Sequence, residues 1–268
     1  MTSRIPKIFS DNNLNQKKTF ISYLVCGDPT IKHTISAMHT MANSGVDIIE
    51  LGIPFTDPIA DGPVIQKSID RSLKNNTSLK DVISLVKKFR KNDNKTAVVL
   101  MGYMNPIHKM GINKFVKLIN SADIDGVLVV DSPPEESQKL NDLLKKSNKS
   151  HIYLASPTTT DKRMKSITEM SSGYVYYVTV KGITGSKLTN INSIKDSVKK
   201  IKNLSKKALP VAVGFGIKNS KSAKIMASFS DGIIIGSSIV ELINKYSDNK
   251  KVMNHKLSKY LTSISRVM

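Results

Sequence analysis

The sequence predicts an α/β protein, a (β/α)8 TIM barrel forming a single domain over residues 1–268. Three observations carry this. Short β-like runs alternate with segments of helical periodicity along the whole chain. There are eight such runs, spread over about 250 residues, the usual size of one such barrel. The first run ends in "VCGDPT", without the G-x-G-x-x-G that a doubly wound dinucleotide-binding sheet favours there.

The elements read in order. "FISYLV" (20–25) is the first strand, followed by a helix with Ile31, Ile35, Met38 and Met41/Ala42 on one face and a stop at Gly45. "VDIIEL" (46–51) is the second. A helix faced by Leu79, Val82, Ile83, Val86 and Phe89 leads to the third, "TAVVLM" (96–101). Ile112, Phe115, Val116 and Ile119 mark the helix before the fourth, "GVLVVD" (126–131). The remaining strands are "HIYLAS" (151–156), "YVYYVTV" (174–180), "LPVAVGF" (209–215) and "GIIIGSS" (232–238). Pro134, with Glu135 and Glu136 beside it, suits the first turn of a helix. Asp161 is placed to cap the helix after strand five, and Asn190 or Asn192 the one after strand six.

Composition narrows the function classes. Hydrophobic residues make up 40% and charged residues 23%, enough for a sizeable core. No apolar run reaches a membrane span, and the polar N-terminus lacks a signal-peptide core. The single cysteine, Cys26, fits a reducing, cytoplasmic setting and reads as a small buried hydrophobe. The net charge of +20 invites a nucleic-acid reading. Against it, the cations are overwhelmingly Lys, scattered over most helical segments, and no zinc finger, RNP sequence or basic zipper is present. The abundance of Lys and Asn fits a compositional bias of A/T-rich codons.

In such barrels the chemistry sits on the loops that follow the strands. The early strands end in carboxylates. Glu50 closes strand two and points toward the mouth, where partial desolvation raises a carboxyl pKa toward useful acid–base values. Asp61 follows on a loop stiffened by Pro54, Pro58 and Pro63, with Gly62 beside it. Two carboxylates in different environments can divide acid–base duties; Asp28 and Asp57 read more simply as turn or cap residues. The last three strands end in glycines and hydroxyls: Gly182, Gly185, Gly214, Gly216 and Gly236, with Ser237 and Ser238 opening the last helix. Backbone N–H groups there predict a phosphate site, and the absence of a P-loop lysine motif points to a phosphomonoester.

The runs "ELGIPFTDPIADGPVIQ", "GYMNPIHKMG", "DSPPEE", "SPTTTDKRM", "YYVTVKGITG", "VGFGI" and "IIIGSSIV" closely resemble the tryptophan synthase alpha chain family, over roughly residues 17–245. The resemblance implies a lyase of tryptophan biosynthesis that cleaves indole-3-glycerol phosphate to indole and glyceraldehyde 3-phosphate. It also implies a heterotetramer of two alpha and two beta chains, with indole passed to the beta chain. No cofactor is expected in this chain; pyridoxal phosphate belongs to the beta partner. By motif, Glu50 matches the general acid/base and Asp61 the acid that holds the indole N–H. Tyr23, Met101, Leu128, Tyr176 and Thr184 match substrate-binding positions. Gly185, Gly214, Phe215, Gly216, Gly236 and Ser237 match the phosphate cradle. Asp57, Pro58, Asn105, Pro106, Asp131, Pro133 and Pro134 lie on loops resembling the partner-facing surface. The chain departs from the family at Met101, often leucine, at Tyr23, often phenylalanine, and at Val64, in some relatives threonine.

Other readings stand beside this one. Lys181 at the end of strand six suits a Schiff-base aldolase. His33, His39, His108, His151 and His255 show no metal-ligand spacing. A barrel that only activates a beta chain, without chemistry of its own, would not need both Glu50 and Asp61.

Overall fold

The computed structural model describes residues 3–178, 189–214 and 216–268, with the backbone alone at 189 and 190. Eight parallel strands close on themselves in sequence order, each paired with its neighbours and the eighth with the first. They are β1 (Thr19–Val25), β2 (Ile48–Gly52), β3 (Ala97–Gly102), β4 (Gly126–Val129), β5 (Ser150–Ala155), β6 (Val175–Val178), β7 (Val211–Gly214) and β8 (Gly232–Ile235). The helices are α1 (Ile5–Leu14), α2 (Ile31–Asn43), α3 (Pro63–Lys74), α4 (Leu79–Phe89), α5 (Met104–Met110), α6 (Ile112–Ser121), α7 (Gln138–Lys146), α8 (Asp161–Met170), α9 (Thr189–Leu204), α10 (Ser220–Ala227), α11 (Ser237–Lys245) and α12 (Lys250–Ser265).

The strands are apolar on both faces because each face meets a different core. Phe20, Leu24, Ile49, Leu51, Val98 and Leu100 point outward into the layer shared with the helices. Ile21, Ile48, Val99, Leu128, Ile152 and Ile234 alternate with such residues and fill the barrel. Position 50 belongs to the inward set, in register with Tyr23 of β1 and Val99 of β3.

The floor is closed by α1. Ile5 and Phe9 of this helix are buried in the interior cluster. Two glycines make room for it: a Cβ on Gly126 would come within 3.2 Å of Ile5, and one on Gly173 within 3.1 Å. The Phe9 ring lies 5.6 Å from that of Tyr174 at the start of β6.

One device recurs at the strand entrances. Just before β2, β4 and β8, the side chains of Asp47, Asp125 and Asp231 accept the N–H of Phe20, Val98 and Val211 at 2.8 Å each. Their own N–H groups donate back to the same three residues. Ser172 does the same with His151 before β6. Each pair therefore locks an odd strand to the next even one at its first or second residue, where the ladder otherwise frays.

Several expectations change in detail. The strands end earlier than the apolar runs, because residues such as Asp131 and Ser156 already belong to loops. Asp161 is the first residue of α8; the cap is Thr160, whose hydroxyl accepts from Arg163 N–H. Asn190 and Asn192 lie inside α9, so neither caps it. Pro134 opens a separate 3-10 turn, and α7 begins only at Gln138. On α2 the buried face is Thr34, Ala37, Met38 and Met41, with Ile31 and Ile35 at its margin. The helix opened by Ser237 is followed by α12, which packs on α2 and α11. Cys26 is fully buried, as a small hydrophobe would be.

Asp125 holds the floor electrostatically. Its Oδ1 accepts from Arg4 N and Nη1, both at 2.9 Å, and its Oδ2 from Arg90 Nη2 at 2.7 Å and from Val98 N. Removing one member of a buried ion pair strands the others and costs about 3–5 kcal/mol. Asp125→Ala is expected to lower the unfolding free energy by that amount in urea titration. Lys7→Ala, which breaks only the exposed Lys7–Asp11 pair, should leave the urea midpoint in place.

Candidate active site

Among the described residues, Glu50 is the one acidic side chain sealed among the inward-facing residues of the barrel. The alternation of β2 places it there, since Ile49 and Leu51 take the outer core. Its exposure is 0%. Oε1 accepts a 2.5 Å hydrogen bond from the Tyr174 hydroxyl, while Oε2 is buried without a partner among the described residues. Burial raises the carboxyl pKa from 4.5 to about 7, against the opposing pull of Tyr174.

Asp61 stands on the loop between β2 and α3, half-buried. Its carboxylate accepts from Tyr103 Oη at 2.7 Å, and the same hydroxyl accepts from Ala60 N–H at 3.1 Å. The loop is tied further by Asp61 N–H to the Pro58 carbonyl and by Gln66, whose amide donates to the Asp61 carbonyl at 2.9 Å. Pro63 sits at the first position of α3, so the stiff motif runs directly into a helix. Burial raises the Asp61 pKa too, and the Tyr103 bond lowers it.

Tyr23 and Tyr176 connect the two acids. Burial first, and then the charges of both Glu50 and Asp61, push each of these hydroxyls well above the ordinary tyrosine range. The two tyrosines thus lie within electrostatic reach of both carboxylates. Glycines accommodate those rings. A Cβ on Gly52 would lie 2.4 Å from the Tyr23 hydroxyl, and one on Gly214 would lie 2.5 Å from that of Tyr176. Gly236 borders the Tyr23 ring from the other side. Met101 and Leu128, paired in register between β3 and β4, complete the apolar wall. Val64 packs beside Tyr23.

The glycines expected to cradle a phosphate divide. Gly214 packs on Tyr176, so its lack of a side chain serves the aromatic wall. Gly216 has φ +38°, and a Cβ there would meet none of the described residues within 4 Å, which suits backbone approach by a ligand. Gly236 precedes α11, whose first residues are Ser237 and Ser238; N–H groups of a first helical turn have no intrahelical acceptor. Thr184, Gly185 and Phe215 lie outside the described residues, as do Lys181 and Gly182.

Other expected positions fall differently. Asp28 is no turn cap; it is buried and forms a bidentate pair with Arg71 at 2.7 Å, with Ser68 also donating to it. Asp57, Asn105 and Asp131 are exposed at the mouth, but Pro134 is buried. Asp131 accepts from the N–H of Met104 at the start of α5. Ile59, 84% exposed, adds an apolar side chain to this face. Among the described residues no cluster of three or more His, Cys, Asp or Glu is spaced to hold a metal ion.

Two side chains that hold these acids escaped the sequence reading. Tyr174 stands just ahead of β6, two positions before Tyr176 and on the same face, and the alternation alone would have found it. Tyr103 follows strand three directly, within "GYMNPIHKMG".

The family model described as "Tryptophan synthase alpha chain" matches residues 9–267. The chain belongs to the tryptophan synthase alpha chain family. It is 44% identical over 259 residues to the tryptophan synthase alpha chain of Marinobacter nauticus, covering 97% of this chain and 95% of that one. It is 41% identical to that of Vesicomyosocius okutanii, covering 99% of both. The crystal structure of tryptophan synthase subunit alpha from Legionella pneumophila superposes with a TM-score of 0.91 at 38% identity, over 100% of this chain and 98% of that one. Tryptophan synthase from M. tuberculosis, in its aminoacrylate-bound form, gives 0.87 at 26% identity over 99% of each chain.

Because the folded pKa of Glu50 lies above its unfolded value, the folded alpha chain keeps a proton that the unfolded chain releases between about 4.5 and about 7. Stability from this site is therefore full in acid, falls through that window and stays lost above it. At about 1.4 kcal/mol per pH unit the loss is of order 3 kcal/mol. Glu50→Gln is expected to exceed the parent in urea stability at pH 8 by that order and to match it near pH 4. Equal stability of the two proteins at pH 8 would contradict the burial argument.

Proposed function

We propose that Glu50 and Asp61 carry the reaction of this family, Glu50 as the acid/base at indole C3 and Asp61 as the group that holds the indole N–H. The chain is the alpha subunit in tryptophan biosynthesis, a carbon–carbon lyase for indole-3-glycerol phosphate. The family works with a beta chain in an assembly of two alpha and two beta chains. Pyridoxal phosphate belongs to the beta chain, and the alpha chain carries no cofactor.

The chemistry sets the requirement. The bond between indole C3 and the glycerol chain breaks only after the ring is tautomerised, which needs a proton on C3 and support for positive charge at N1. Glu50, with a pKa near neutrality, holds a proton at working pH and gives it up to carbon. The resulting carboxylate then takes the proton of the glycerol hydroxyl as that carbon becomes an aldehyde, and indole leaves with the bonding pair. Asp61 is more exposed, remains the better anion, and accepts the N–H as charge develops. The observation that carries this is the environment of Glu50, a single-donor carboxylate sealed in an apolar barrel beside an aromatic-walled space.

Tyr23, Met101, Leu128 and Tyr176 line the place for the indole ring. Gly216, Gly236 and Ser237 offer backbone N–H groups to the phosphate at the start of α11; Gly214 contributes through Tyr176. Thr184, Gly185 and Phe215 complete the set by their place in the family motif. Tyr103 is a positioning residue that fixes Asp61 and its loop. Asp57, Pro58, Asn105 and Asp131 belong to the surface offered to the beta chain. We place the protein in the cytoplasm, on the single buried cysteine and the family's biosynthetic role; no described helix is long and apolar enough to cross a membrane.

Indole release from indole-3-glycerol phosphate, measured with and without a beta chain, is expected to fall by about 10²- to 10⁴-fold in Glu50→Gln. Stimulation of the beta reaction by the mutant should persist, because the docking surface is untouched; loss of neither activity would refute the assignment. Tyr174→Phe removes the one interaction that lowers the Glu50 pKa. The pH limb of kcat/KM near 7 should move upward in that variant and stay in place in Tyr103→Phe.

A further inference from the structure

Two loops meet at the phosphate end of the mouth, one after β7 and one before α11. Each is fixed on its far side. Ile217, next to Gly216, is 2% exposed and packs in the outer core. Beyond it the chain is held by the capping box of α10: Asn219 Oδ1 accepts from Ser222 N–H at 2.9 Å, and the N–H groups of Lys218 and Asn219 reach Ser222 Oγ. In α11 the N–H groups of Ile239 and Val240 return to the Gly236 carbonyl at 2.9 and 3.0 Å. Those of Ser237 and Ser238 are therefore the open ones of that first turn.

One side chain joins the two loops. Ser238 Oγ donates to the Ile217 carbonyl at 3.3 Å, across 21 positions of chain. A serine hydroxyl has a single proton to give. Ser238 gives it to Ile217, so the side chain serves the loop and only the backbone N–H is left for an anion. Behind it stands Tyr260 of α12, the helix packed on α11. The Tyr260 hydroxyl is buried, with no hydrogen-bond partner among the described residues. Burial raises the pKa of this phenol, the nearby Ser238 hydroxyl lowers it and the Glu241 charge raises it, so the phenol lies against the first turns of α11.

We propose that Ser238 is a positioning residue for the substrate phosphate. It ties the Gly216 loop to the first turn of α11, so that backbone N–H groups from both converge on one anion, and Tyr260 backs the tie from α12. This rests on the phosphate reading given above and adds what assembles that site. A cradle made of two independent loops must order both when the ligand arrives. A bond formed beforehand between them removes part of that cost.

The test is steady-state indole release by the full-length chain, with two inhibitors that each carry one end of the substrate. Glycerol phosphate has the phosphate alone, and 3-methylindole the ring alone. Ser238→Ala keeps a good helix former, so α11 stands. It is expected to raise KM and the inhibition constant of glycerol phosphate together by about 3- to 10-fold, the worth of one neutral hydrogen bond. The value of kcat and the inhibition constant of 3-methylindole should not move, because the lost interaction is felt equally by substrate and transition state. Ser238→Thr keeps the hydroxyl and should restore the parent values. Tyr260→Phe should shift the same two constants in the same direction and by less. An unchanged KM in Ser238→Ala, or an inhibition constant for 3-methylindole that rises with it, overturns the tie. Failure of glycerol phosphate to inhibit the parent would instead remove the phosphate reading on which the tie rests.

Discussion

The site depends on one constraint: a carboxylate has been placed where the barrel's alternation demands an apolar residue. Ionising it there means taking a charge out of water with little to replace the solvent. The surrounding residues answer that cost only partly. One phenol donates to Oε1, and Oε2 is left open. The interior cluster of the barrel is aliphatic and aromatic. A proton is the remaining way to settle the charge, so the acid stays protonated near neutrality.

The mouth is shaped around this. Tyrosines rise from β1 and β6 into the space above Glu50, and glycines on β2 and β7 and after β8 give them room. Glycine at these strand ends therefore does two jobs. At Gly214 it admits an aromatic ring, and at Gly216 it leaves the backbone bare. Below Glu50 the same logic holds with the partners reversed. Ile5 of α1 enters from the floor against Gly126 and Gly173, and Phe9 against Gly232, where it supports Tyr174. The hydroxyl that tunes the acid is thus held from beneath by a helix outside the (β/α) repeat. That helix is anchored in turn by Arg4 on Asp125.

Much of this was legible in the chain. Eight strands and their order followed from the alternation of apolar runs and helical periodicity, and Glu50 and Asp61 stood out by type and place. What escaped had physical reasons. The plug helix hides in a polar N-terminus because only Ile5, Ile8 and Phe9 mark its apolar face, at a spacing that a search for strands passes over. Asp28 looks like a turn acid until the fold brings Arg71 to it from forty-three positions away. The strand-entrance acids Asp47, Asp125 and Asp231 read as loop polarity, since their acceptors' partners lie on a different strand. Tyr174 was masked by its neighbours: in a run with three tyrosines, composition does not say which hydroxyl meets the acid, and only the inward set decides.

The number of donors to Glu50 matters as much as its burial. A carboxylate that accepts two or three hydrogen bonds in the folded state can be held below about pH 2. Such a group would be a poor acid toward a carbon atom, because it would carry no proton to give. A carboxylate with no donor at all would climb further than about 7 and would return its proton too weakly to serve as a base in the second half of the reaction. One bond from Tyr174 lies between these limits. It lowers a pKa that burial has raised, and it fixes which oxygen faces away from the reacting space. In the proposed reaction the unpartnered Oε2 is the atom that gives the proton to substrate and then takes one back. Asp61, tied by Tyr103 on a half-exposed loop, remains suited to the fixed negative charge that the ring nitrogen needs. The division of labour follows from where two similar side chains sit, one at the end of a sealed strand and one on a stiff, wetter loop.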